Sequence, residues 1–277
     1  MSQQFYYPKI AAVLLFFVAS CAKTSSAVSK AEDGDRKMDA SLKTPAVGDT
    51  LLNMDYENGT INSGIAGTLT TNATASDAVY MAAPGATGNH AIAHKVVYGD
   101  SGYYSNDNWR SESSTNGYTS SYFSPGEERR YEFSVLLKDW PAWNTGDAAN
   151  ETNIFQLKTS GSTGAANQIR VKRNALLIRY AADGSTVAIL PDFRPYVNQW
   201  IHFRIDVLWS NSGTGYMKIY TKLPGEPGYT LKTTRSNFDS FVGTGSNNGY
   251  IKWGLYVVPP NTTRIAWHDD IRIIALN

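Results

Sequence analysis

The sequence predicts an all-β protein whose single domain is a sandwich of two sheets. Short segments that alternate apolar and polar residues recur from residue 50 to residue 277, broken by Gly, Asn, Ser and Pro. No long apolar pattern of period 3.6 accompanies them. At 277 residues, 42% hydrophobic and 12% aromatic, the chain can bury a large core in one such domain. Its formal net charge of +1 lacks the basic excess that a nucleic-acid partner calls for. Any acidic ligand must be met by local positive charge.

The first residues are set apart from that domain. Lys9 precedes a short apolar run, Ile10 to Val18, and Val18-Ala19-Ser20-Cys21 has the form of a bacterial lipobox. Residues 1–21 are therefore expected to be a lipoprotein signal peptide, with Cys21 the lipidated residue. The run is too short to span a bilayer comfortably, so the lipid is the expected membrane contact. Cys21 is the only cysteine, and the domain must hold together by packing alone. Residues 22–49 are Ser, Thr, Lys, Asp and Ala with almost no large apolar residue, which reads as a flexible tether. These features predict an exported monomer, lipid-anchored to the bacterial cell envelope.

The domain, residues 50–277, opens with Leu51-Leu52-Asn53-Met54-Asp55-Tyr56-Glu57-Asn58-Gly59, a strand ending in an acidic turn. Further strands are expected at 91–98, 130–137, 153–158, 175–180, 200–209, 216–222, 250–258 and 264–275, the rhythm of a β-sandwich. In 200–209, Ile201, Phe203, Ile205, Val207 and Trp209 make one face, while His202, Arg204 and Asp206 make the other. His202 has no motif behind it and is assigned a structural role. The strand at 250–258 is the most informative. Ile251, Trp253, Leu255 and Val257 point one way, and Tyr250, Lys252 and Tyr256 the other, with Gly254 leaving room for a close approach to the backbone.

Other strands carry outward residues of the same character. Arg110 and Glu112 lie in Trp109-Arg110-Ser111-Glu112, Gln156 and Lys158 in Phe155-Gln156-Leu157-Lys158, and His94 in Ala91-Ile92-Ala93-His94-Lys95. The paired residues are spaced by two, so both members share a face. A separate acidic group joins the two ends of the domain. If the first and last strands pair, Glu57 and Asp270 come together in an oxygen-rich site suited to a structural Ca²⁺.

The order Arg-Ser-Glu, then Gln on a strand entered by Ile-Phe, then Gly-rich sequence, then Tyr-x-Lys-x-Gly-x-Tyr resembles the polysaccharide lyases of the concanavalin-like β-jelly roll fold, the alginate, heparin and glucuronan lyases. The likeness spans most of Leu51 to Asn277, and Tyr250 to Tyr256 is its most specific part. It implies cleavage of an acidic polysaccharide by β-elimination at a uronic acid, with no cofactor for catalysis. The C5 proton lies α to a carboxylate, so negative charge developing there must be neutralised, a task for Gln156 and Arg110. Tyr256 suits the acid, and also the base with the charge of Lys252 beside it. His94 is the other candidate base, and the sequence does not divide the two roles. Glu112, Lys158, Tyr250 and Lys252 are the implied substrate-binding residues. Lys158 stands where alginate lyases carry a His two residues after the Gln. Glucuronan lyases resemble the chain more closely, because their His lies on an earlier strand, where His94 falls. The alternative is a non-catalytic carbohydrate-binding module, with Trp140, Trp143 and Tyr196 stacking on sugar rings. Such a module needs no base and phenol facing one sugar-sized gap. A glycosidase on this fold lacks a matching pair of strand carboxylates.

Overall fold

β-branched and aromatic residues at alternate positions make strands whose one face must be covered, and among the described residues fifteen such strands cover one another in two layers. The computed structural model describes residues 45–148, 151–161, 166–244 and 246–277. Cys21 with its lipobox, and the expected tether as far as residue 44, lie outside the described residues. The strands are β1 (Thr50–Met54), β2 (Val79–Ala82), β3 (Ala91–Val97), β4 (Tyr104–Ser105), β5 (Asn108–Ser114), β6 (Glu128–Lys138), β7 (Glu151–Thr159), β8 (Ala166–Lys172), β9 (Ala175–Arg179), β10 (Thr186–Leu190), β11 (Trp200–Leu208), β12 (Gly215–Lys222), β13 (Thr230–Phe238), β14 (Gly249–Tyr256) and β15 (Thr263–Ala275). The only helical pieces among the described residues are three single 3₁₀ turns.

Both sheets are antiparallel. One runs β13-β12-β11-β6-β15-β3-β2, with β1 also on β15, and the other β10-β9-β8-β7-β14-β5-β4. Sequence neighbours are often dealt to opposite layers, which is the jelly-roll arrangement. The inner faces meet in one core. Phe133 of β6 stacks on Phe203 of β11 at 4.9 Å and on Phe155 of β7, from the other sheet, at 3.9 Å. The polar tips of buried aromatics find each other, with Trp253 Nε1 donating to Tyr56 Oη at 3.0 Å and Trp209 Nε1 to Tyr131 Oη at 2.9 Å.

The terminal strands pair as expected, Met54 opposite Ile271. Glu57 and Asp270, the carboxylates considered for Ca²⁺, are hydrogen-bonded to the chain beside them. Glu57 accepts from the backbone N–H of Asn89 and His90, Asp269 from those of Ala86 and Thr87, and Asp270 from the Thr87 hydroxyl. Together they clamp the 84–90 loop. No group of three or more metal-ligating side chains occurs among the described residues.

Three buried groups beside this clamp make stability depend on pH. Burial, with Asp270 adjacent, pushes Asp269 up to about 7. Burial holds His268 down at about 3, and burial followed by the charge of His268 holds His94 well below the usual imidazole range. Between about pH 4 and 6.5 the folded chain keeps the Asp269 proton that the unfolded chain releases, so this group's contribution falls as pH rises. The histidines act oppositely, because the unfolded chain takes up two protons that the folded chain refuses. Their contribution is present above about pH 6.5 and lost below it. The net expectation is stability that rises with pH across this window. Asp269→Asn should steepen the rise by removing the opposing proton. Melting temperatures of the two proteins across the window check this, and parallel curves would contradict it.

Candidate active site

β14 lies between β7 and β5, and the pleat places its alternate residues beside theirs on the outer face of the second sheet. Lys252 stands opposite Gln156 and Ser114, Tyr250 opposite Lys158, and Tyr256 opposite Arg110. Seven residues singled out in the sequence are thereby brought together: Arg110, Glu112, Gln156, Lys158, Tyr250, Lys252 and Tyr256.

A hydrogen-bonded chain ties them. Gln156 Nε2 donates to Glu112 Oε1, and Lys252 Nζ donates to Glu112 Oε2 at 2.5 Å. Arg110 lies 3.9 Å from the same carboxylate oxygen, and its Nε donates to Ser105 Oγ at 3.0 Å. On the far side, Gln168 Nε2 donates to Gln156 Oε1 at 3.0 Å, and Arg170 Nε to Gln168 Oε1 at 2.8 Å. Gln156 thus has its carbonyl and one N–H engaged and keeps its second N–H. Glu112, only 6% exposed, is spent holding Gln156, Lys252 and Arg110 in place. The ring of Tyr256 has Arg110 at 5.8 Å and Lys252 at 5.9 Å from its centroid. Its hydroxyl accepts from Asn108 Nδ2 at 2.9 Å, so its own proton is left to give. Burial, aided by the charge of Glu112, holds the Tyr250 phenol above its usual range.

His94 does not join this face, and its role as base is withdrawn. It sits on β3 in the opposite sheet, fully buried, with Nε2 2.9 Å from Ser113 Oγ and its ring 5.9 Å from that of His268. A sugar cannot reach it. The histidine is enclosed beneath the site, supporting β5 from the inner side.

Gly254 explains part of that enclosure. It has φ +121° at an irregularity of the β14–β7 register, and a Cβ there would lie 2.4 Å from Ser111 O, 2.9 Å from Glu112 Cα and 3.0 Å from His94 Cδ2. The close approach that the glycine permits is by its own chain. Gly254→Ala is expected to cost of order 1–3 kcal/mol for backbone strain alone, with overpacking adding a similar amount. Chemical denaturation should show the midpoint falling, and an unchanged midpoint would contradict the packing described.

Asn108, Gln168 and Arg170 escaped sequence reading. Each had a signal: Asn108 precedes Arg110 by two on β5, and Gln168 and Arg170 alternate on β8, which was not among the expected strands. The aromatic residues suggested for a binding module lie elsewhere. Trp140 is 5% exposed, its indole donating to Ile265 O at 2.7 Å, and Trp143 stacks under Arg173 at 4.9 Å. Both line a cavity of about 360 Å³, and Tyr196 packs against the core.

The two-layer jelly roll thus gathers lysines, arginines, an amide and a proton-bearing phenol on the outer face of its second sheet. The chain belongs to the polysaccharide lyase family, whose model matches residues 56–272, and is a lyase of acidic polysaccharides. Among solved structures it is similar to the endo-β-1,4-glucuronan lyase of the fungus Trichoderma reesei, at 17% identity over 75% of this chain and 87% of that one, with TM-score 0.51. It is similar to the PL-14 alginate lyase of Aplysia kurodai, at 12% identity over 82% and 99%, with TM-score 0.55. The binding domain of botulinum neurotoxin serotype G shares the fold at 19% identity, over 83% of this chain and 49% of that one, with TM-score 0.52. No curated protein matches.

Proposed function

We propose that the protein cleaves a uronic-acid-containing polysaccharide, glucuronan- or alginate-like, by β-elimination on the outer face of β5, β7 and β14. The observation that carries this is the Tyr256 hydroxyl, which accepts from Asn108 and lies on the face with Arg110 and Gln156. Elimination needs charge neutralisation at the C6 carboxylate and a proton for the departing O4. The free N–H of Gln156 and the guanidinium of Arg110 supply the first. Tyr256 supplies the second, and the Asn108 amide steadies the phenolate left behind. Lys252 and Tyr250 extend the binding face along the chain of sugars, and Glu112 fixes their supports. Export and a lipid anchor at Cys21 belong to the same proposal, supported by the lipobox pattern.

The test is to incubate purified protein with glucuronan, alginate and a heparin-type polymer and follow the ultraviolet absorbance of the conjugated C4=C5 uronate product. Product from one of the uronans is expected. Binding to them without product from any would support the carbohydrate-binding module instead.

A further inference from the structure

Arg264 stands on the core-facing side of a strand. On β15 it lies opposite Val96 of β3 and two residues before Ala266, and both of those side chains are fully buried between the sheets. Its guanidinium is 5.3 Å from the centroid of the Trp140 ring, and its one hydrogen bond among the described residues runs from Nη1 to the carbonyl of Thr263 at 3.1 Å. Nε is buried without a partner. Burial holds the group below the usual arginine range, with no carboxylate beside it to offset the effect. A cation placed so is costly to the folded chain unless something outside the chain meets it.

The space beside it is the cavity of about 360 Å³ that Trp140 and Trp143 line. Its wall is made by connections between strands: Trp143 from the loop after β6, Arg173 from the turn after β8, and Pro259 with Pro260 from the loop after β14. Val171 and Phe193, both core residues, line it too. Val171 follows Arg170 on β8 and so points to the opposite face, away from the hydrogen-bonded chain of Gln156, Gln168 and Arg170. The cavity therefore belongs to the inner side of the second sheet, not to the outer face that carries Tyr256. A second guanidinium borders it. Arg173 is exposed, lies 4.9 Å from the Trp143 ring centroid and has no ion pair among the described residues. The one acid on the wall, Asp147, accepts from the backbone N–H of Asn144 at 2.7 Å.

We propose that this cavity is a second, non-catalytic site that binds one uronate residue, its carboxylate held by Arg264 and Arg173 and its ring packed beside Trp143 and the two prolines. Planar guanidinium groups grip carboxylate oxygens two at a time. The volume lies at the lower end of the about 300–1,000 Å³ of small-molecule sites, which suits a single sugar unit rather than a run of them. Asn261 on the same wall offers its amide to the sugar hydroxyls. The unit arrives either as the end of a polymer or as a free sugar, and the carboxylate and the ring are common to both. The site needs no proton transfer by Tyr256, so it stands apart from the elimination reading.

The test follows the indole N–H signal of Trp143 in nitrogen–proton correlation spectra of the protein, identified by its loss in Trp143→Phe. The probes are sodium glucuronate, glucose, sodium sulfate and a glucuronan oligosaccharide. Glucuronate should give a saturable shift, with glucose and sulfate bound at least tenfold more weakly. Arg264→Met and Arg173→Gln should each weaken glucuronate by about tenfold or more, the scale of a lost hydrogen bond to a charged group. Arg264→Met removes a charge that has no partner in the chain, so its melting temperature should not fall; if this variant does not fold, Arg173→Gln on the exposed rim carries the binding test alone. Tighter binding of the oligosaccharide would support the polymer end as the occupant, and equal or weaker binding the free sugar. No shift with glucuronate, equal affinity for glucose or sulfate, or undiminished binding by the folded arginine variants would overturn the site. Failure of the elimination reading would appear separately, as absence of unsaturated product, and would leave this titration unchanged.

Discussion

Tyr256→Phe is expected to abolish elimination while leaving polymer binding nearly intact. The substitution removes one oxygen and keeps the ring that packs between Arg110 and Lys252, so the face retains its shape and charge. Asn108 loses its acceptor, a cost of about 1 kcal/mol at a half-buried position. What disappears is the proton that the leaving oxygen needs. General acid catalysis contributes on the order of 10²–10⁴ in rate, and the loss should fall on turnover rather than affinity. Initial rates of unsaturated-end formation and a separate binding isotherm on the same polymer measure the two quantities. A variant that still forms product at the wild-type rate would remove Tyr256 from the reaction.

Gln156→Ala should lower kcat by about 10²–10³, the scale seen when one donor to a developing oxyanion is deleted. Here the effect spreads beyond the missing N–H. Gln156 joins Gln168 to Glu112, so its loss leaves the Gln168 amide and one Glu112 oxygen without their partners. Glu112 keeps Lys252 and Arg110, which should preserve the fold of the face and part of its grip on the polymer. KM is therefore expected to rise less than kcat falls. A kcat within a few-fold of wild type would show that the carboxylate is neutralised elsewhere, with Arg110 the next residue to vary.

Much of this site was legible in the sequence because the pleat is a local property. Residues two apart on a strand share a face whatever the rest of the chain does, so Arg110 with Glu112, Gln156 with Lys158, and Tyr250 with Lys252 were sorted correctly before any pairing was known. The alternation also assigned Ile251, Trp253 and Leu255 to the core, where they are buried. His94 is where the same reasoning failed. Its strand, Ala91-Ile92-Ala93-His94, is buried on both faces, and alternation carries no information about direction when neither face meets water.

Which layer a strand joins was decided only by the tertiary structure. Pairing depends on contacts between segments far apart in sequence, as Tyr256 of β14 meets Arg110 of β5, and no local pattern encodes that choice. The sheet order put His94 in the core beneath Gly254, while β14 was set between β7 and β5. The same holds for Glu57, Asp269 and Asp270. The pairing of β1 with β15 was indicated by the sequence, and all three carboxylates accept hydrogen bonds from the 84–90 loop. That these oxygens hold the 84–90 loop depends on what folds against them, which spacing along the chain does not reveal. The residues that could act were therefore determined by composition and spacing along each strand. The ones that can act together were selected by the order in which the strands pair.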